Sequence, residues 1–192
     1  MKKRRKIALA AATGALGAGI ALTPSANAAT GGMLSQAASV KTPAPQDALR
    51  DGGVWYFKAK HSRKCLTVHG ASTAKGAAVD QYTCLNRANQ RWRLLFVSDR
   101  GLAYVTAEHS GKCLDVLGGS KANGTKIGQW DCNSRKNQKF FVKSVAGYAT
   151  IQPWYDAQKC LDVPGASQRN NTQLVLWSCN YGSNQKFKMV RA

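Results

Sequence analysis

Six cysteines constrain this chain more than any other feature. They stand as Cys65 and Cys84, Cys113 and Cys132, Cys160 and Cys179, each successive pair 19 residues apart. The first members of the pairs are 48 and 47 residues apart. A fixed period of this length marks an internal repeat, and the neighbouring residues repeat with it. Each pair opens on Lys-Cys-Leu, at Lys64, Lys112 and Lys159. An aromatic stands two before each second Cys: Tyr82, Trp130 and Trp177. Asn-Gln-basic-aromatic then recurs at Asn89-Gln90-Arg91-Trp92, Asn137-Gln138-Lys139-Phe140 and Asn184-Gln185-Lys186-Phe187. The unit spans Gly53 to Ala192, in three copies.

Within a copy the pattern is strand-like. In the second copy, Gly101–Ala107, Lys112–Val116, Lys126–Trp130 and Phe140–Val145 are short β-rich runs, with turn signals such as Ser110-Gly111 and Gly118-Gly119 between them. Four strands per copy give about twelve. Only one Glu, Glu108, occurs in the whole chain, and no 3.6-residue period emerges, so a helical bundle is excluded. Three copies are too few blades for a propeller. A closed threefold barrel hides its sheet edges and suits the count.

The N-terminus differs in composition. Lys2 to Lys6 are basic, Ile7 to Leu22 is an apolar run, and Ala26-Asn27-Ala28 supplies the small residues of a cleavage site. Residues 1–28 therefore read as a secretory signal peptide, and the mature chain is expected to be secreted without a transmembrane segment. Residues 29–50, rich in Ala, Thr, Ser and Pro, read as a flexible tail, and 51–192 as the folded domain. In an oxidising compartment six Cys imply three disulfides, and the common spacing selects Cys65–Cys84, Cys113–Cys132 and Cys160–Cys179. The formal net charge is +19. Loss of the leader leaves about +14, enough to attract acidic glycans or other polyanions. No nucleic-acid motif accompanies the charge.

The Cys-Leu-Asp-Val, Cys and Gln-x-Trp/Phe series resembles the ricin-B-type β-trefoil, the R-type lectin and carbohydrate-binding module. The resemblance implies an all-β fold with three pseudo-symmetric lobes of about 47 residues, each with one internal disulfide. It also implies a six-stranded barrel capped by three hairpins. The activity implied is non-catalytic sugar binding at one shallow site per lobe.

That family's site combines an Asp after Cys-Leu, the aromatic before the second Cys, and the Asn before the Gln. The chemistry is intelligible from the residues. A carboxylate accepts from neighbouring hydroxyls, an amide donates and accepts, and an aromatic face covers the C–H face of a sugar ring. Carried over, the second lobe keeps Asp115, Trp130, Asn137 and Gln138, and the third keeps Asp162, Trp177, Asn184 and Gln185. The first lobe has Thr67 in place of the Asp, with Asp80, Tyr82 and Asn89 nearby, so it is expected to be weak or inactive. Gln90, Gln138 and Gln185 are expected to serve mainly the fold. The repeated Asp lie in separate lobes and Glu108 has no evident partner, so the paired carboxylates of a glycosidase are not expected, and neither a metal nor a cofactor is expected. His61, His69 and His109 are expected to be isolated turn residues.

The expectation is a monomeric lectin-type protein for a polysaccharide or cell-surface glycan, with acidic glycans among the candidates. Two other readings remain. One is a charge-driven binder of anionic polymers. The other is a trefoil that binds a protein, as an inhibitor or toxin accessory subunit, in which case a loop such as Pro153-Trp154-Tyr155-Asp156 would carry the contact.

Overall fold

The computed structural model describes residues 50–192. The expected leader at 1–28 lies outside these residues, as does all but the last residue of the expected tail. Arg50 itself already belongs to a strand, one residue earlier than the sequence suggests. It pairs with Phe96.

Each lobe contributes four strands in the expected places. The first has β1 (Arg50–Ala59), β2 (Cys65–Val68), β3 (Val79–Tyr82) and β4 (Trp92–Phe96). The second has β5 (Leu102–Ala107), β6 (Cys113–Val116), β7 (Thr125–Trp130) and β8 (Lys139–Val145). The third has β9 (Tyr148–Pro153), β10 (Lys159–Asp162), a third run divided into β11 (Thr172–Gln173) and β12 (Val175–Ser178), and β13 (Phe187–Arg191). That division makes thirteen strands of the expected twelve. It falls at Leu174, whose N–H donates instead to the Val79 carbonyl of the first lobe at 2.9 Å.

Six strands close a ring. β1 pairs with β4, β4 with β5, β5 with β8, β8 with β9, β9 with β13, and β13 with β1, all antiparallel. No barrel edge is left open to add another chain. The hairpins β2–β3, β6–β7 and β10–β12 cap one end. They join one another through β3–β11, β7–β12 and an Ala78–Gly128 bridge.

The core follows from the repeat. Leu66, Leu114 and Leu161, one per lobe, are wholly buried. So are Val68, Val116 and Val163, then Val79, Ile127 and Leu174, and finally Trp92 and Phe140, with Phe187 at 1%. Threefold-equivalent apolar residues thus meet along the axis. The three disulfides are those expected, with Cα–Cα separations of 5.1 Å. Each closes a loop of 19 residues, which the chain-entropy model values at about 3 kcal/mol.

The lobes are also latched by hydrogen bonds in a cycle. His61 Nε2 lies 2.9 Å from the Ser167 carbonyl, and His109 Nε2 lies 3.0 Å from that of Ser72. Tyr155 donates its hydroxyl to the Ser120 carbonyl at 2.8 Å. Each bond joins one lobe to another, so the turn histidines are lobe connectors rather than isolated residues. Burial, with Asp156 and Asp115 nearby, pushes the Tyr155 hydroxyl up to about 12.

Candidate functional site

The recurring Asn-Gln sits on a single 3-10 turn just before the fourth barrel strand of each lobe. This places the Gln inward and the Asn beside it, near the edge of the cap. Gln138 Oε1 accepts from the Asn133 N–H at 2.9 Å, while its Nε2 donates to the Asp131 carbonyl at 2.9 Å and to Asp115 Oδ2 at 2.8 Å. Gln185 repeats the scheme. It accepts from Asn180 at 2.9 Å and donates to the Ser178 carbonyl at 3.0 Å and to Asp162 Oδ2 at 2.7 Å. Each Gln ties the loop after the second Cys to the site Asp. Both are 0% exposed, so neither can touch a ligand. They position the site, a correction to their inclusion among residues that bind.

The carboxylates are braced twice. Asn137 Nδ2 donates to Asp115 Oδ1 at 2.9 Å, and Asn184 Nδ2 to Asp162 Oδ2 at 3.0 Å. Both Asp side chains are nearly buried. Burial raises their pKa above the ordinary 3.8, and the Gln and Asn hydrogen bonds oppose that rise. The aromatics behave oppositely. Trp130 and Trp177 are 40% and 43% exposed, although each follows a run of buried residues. Asp115 stands opposite Gly128 in the ladder, and Asp162 opposite Val175. Each Trp is two residues further on and therefore shares the face of its Asp. In the second lobe one shallow cleft is lined by Asp115, Trp130, Asn133, Arg135 and Asn137. Gly128 is required there, since a Cβ would approach the Ala77 carbonyl to 2.9 Å.

The first lobe is built differently. Thr67 donates to the Cys65 carbonyl at 2.8 Å and accepts from Gln90 at 3.0 Å, and Asn89 bonds only backbone, the Val68 carbonyl at 2.9 Å. The missing carboxylate has crossed the ladder. Asp80 stands directly opposite Thr67, almost wholly buried. Its Oδ2 lies 2.6 Å from His69 Nδ1, and its Oδ1 has no partner. Burial raises its pKa and His69 lowers it, burial being the stronger. His69 is thus paired rather than isolated. The sequence held a signal for this: His69 and Asp80 both replace apolar or Gly residues of the other copies, Leu117 with Gly128 and Pro164 with Val175. A cleft lined by Thr67, His69, Asp80, Tyr82, Arg87 and Asn89 is present.

The loop at Pro153–Asp156 divides its roles. Trp154 is exposed, with Lys139 Nζ 5.3 Å from its ring centroid, whereas Tyr155 is the lobe latch. Among the described residues no cluster of three metal-ligating side chains occurs. No described helix is long and apolar enough to cross a membrane.

A closed six-stranded barrel, three capping hairpins and a braced Asp beside an exposed Trp in two lobes together define a β-trefoil of the lectin class. Residues 54–187 match the ricin-type β-trefoil lectin domain, and the chain belongs to that family. No curated protein matches it in sequence. Among solved structures it resembles ThreeFoil, a designed 3-fold symmetric protein, at 34% identity and a TM-score of 0.70, covering 73% of this chain and 99% of that one. It also resembles 1,3Gal43A, an exo-β-1,3-galactanase from Clostridium thermocellum, at 28% identity and a TM-score of 0.71. That match covers 75% of this chain but 31% of the galactanase. The ricin B-like lectin of Macrolepiota procera, solved with lactose, shares the fold at 16% identity and a TM-score of 0.64, covering 75% of this chain and 99% of that one.

Proposed function

We propose that this chain is a secreted, non-catalytic carbohydrate-binding protein with sugar sites in its second and third lobes. One observation carries the reading. In both lobes a nearly buried carboxylate, held by an Asn and a Gln, shares a face with an exposed Trp. An exposed indole beside a fixed acceptor suits a ring with one apolar face and a hydroxylated edge. The lactose complex of the Macrolepiota procera lectin and the N-acetylgalactosamine complex of the earthworm R-type lectin C-half are in keeping with this reading.

The mechanism is recognition alone. Asp115 or Asp162 accepts from ring hydroxyls, Asn137 or Asn184 fixes their geometry, and Trp130 or Trp177 covers the sugar face. No proton transfer is required. Two shallow sites facing different directions gain strength on a polymer by multivalency. The basic leader-like segment at residues 1–28 supports export.

The test is binding of the mature protein to a panel of neutral and acidic polysaccharides at low and high salt, beside the Asp115→Ala/Asp162→Ala double variant. Salt-resistant binding that the double variant loses supports the proposal. Neutral-sugar binding that the double variant keeps would overturn the site assignment.

A further inference from the structure

The three barrel junctions invite comparison, because pseudo-symmetry makes each a control for the others. Where the first lobe meets the second, Arg93 on β4 stands opposite Thr106 on β5. Its charge is answered: Arg93 lies 2.7 Å from Asp51 and 3.3 Å from Glu108. Where the second meets the third, the equivalent pair is Phe141 and Gln152, which carries no charge. Where the third meets the first, the pair is Lys188 on β13 and Lys58 on β1.

Like charges directly opposite in a ladder are destabilising. The position that holds Glu108 at the first junction holds Lys60 at this one. Lys58, Lys60, Arg63 and Lys188 line one cleft with Ala59 and Tyr148, and no acid lines it. None of the four cations forms an ion pair among the described residues. Lys60 Nζ lies 4.8 Å from the Tyr148 ring centroid, which holds its ammonium across the cleft. Lys60, Arg63 and Lys188 are exposed.

We infer that this cleft, between β1, β9 and β13, binds an anionic group of an acidic polysaccharide. It is separate from the three lobe sites and shares none of their residues. A carboxylate or sulfate set among the four cations supplies the negative charge that Glu108 and Asp51 supply at the first junction. Nucleic acid fits less well. The one aromatic of the cleft has Lys60 on its face, so no free ring is left for a base to stack on. The ligands are lysine point charges with a single arginine, suited to an anion read by charge rather than by a bidentate fork.

The test uses the full secreted chain and calorimetric titration with heparin, polygalacturonate, a neutral galactan and single-stranded DNA, at about 50 and 300 mM salt. The variants are Lys60→Glu, which restores the acid of the first junction, and Lys60→Glu/Lys188→Glu. Arg100→Glu/Lys126→Glu, exposed elsewhere, changes the charge equally. The expected result is at least a tenfold loss on heparin or polygalacturonate for the cleft double variant, and no more than twofold for its control. Response to one of the two polymers identifies sulfate or carboxylate. Equal losses for both double variants would overturn the proposal, since diffuse charge would then suffice. So would tighter binding of DNA than of either acidic polysaccharide. Galactan binding, and its loss in Asp115→Ala/Asp162→Ala, reports on the lobe sites alone, so either reading can fail without the other.

Discussion

Gln138 donates to Asp115 from a position fully closed to solvent, 2.8 Å away and 23 residues along the chain. The same amide holds Asn133 and Asp131, so fold and site share one side chain. Gln138→Ala would leave a carboxylate oxygen, an N–H and a carbonyl unpartnered. The buried carboxylate oxygen costs about 1–3 kcal/mol to orphan, the other two bonds being only part-buried, and the expected loss is about 2–3 kcal/mol, read as a lower urea midpoint at unchanged slope. Sugar affinity of the second lobe should fall as well, measured well below the transition.

Trp130 and Trp177 make the opposite case. Their rings are 40% and 43% exposed, so truncation removes little packing. Trp130→Ala and Trp177→Ala should each shift stability by no more than about 1 kcal/mol. Each should weaken binding at its own lobe about tenfold or more, and the double variant should abolish retention on the polysaccharide. A large fall in Tm with intact binding would make these indoles structural.

The pH dependence follows from burial. Asp115 and Asp162 titrate above 3.8 in the fold and near the ordinary value when unfolded. Between those values the native state holds more protons than the unfolded state, so their contribution to stability falls as pH rises through the window. Binding runs the other way, because the ionised form is the acceptor. Affinity should climb through the same window and level off above it. Urea midpoints for wild type minus Asp115→Ala/Asp162→Ala, taken from about pH 3 to 7, isolate the two groups from Asp131, whose pKa Lys112 and Lys75 hold down. A difference that grows with pH would contradict the assignment.

The barrel was legible because its determinants are local and repeated. Leu66, Leu114 and Leu161 announce themselves beside their Cys, and the Asn-Gln turns announce the fourth strands. Contacts between lobes were not legible, since they depend on which copies meet. Gln81 Nε2 reaches the Ser167 carbonyl at 2.6 Å across 86 residues, and nothing near either residue marks the other. The His69–Asp80 pair lay between these extremes. Both residues depart from the repeat in the same copy, a signal that gains meaning only once Asp80 is known to face Thr67.

The lobe latches yield the last prediction. His61 and His109 each present Nε2 to a carbonyl, so that nitrogen must carry the proton and donate. Nδ1 is buried and has no partner in either residue. His61→Ala and His109→Ala should each cost about 1 kcal/mol, the lost bond alone, because the Ser167 and Ser72 carbonyls keep Gln81 at 2.6 Å and Gln129 at 2.8 Å. The two lie at different lobe junctions and share no partner, so the costs should add within about 0.5 kcal/mol. Neither histidine lines the second-lobe cleft, so affinity at the proposed second-lobe site should stay within about twofold of wild type. Strong non-additivity in chemical denaturation would instead mean that the three latches act as one cooperative ring, with the opening of one junction releasing the next.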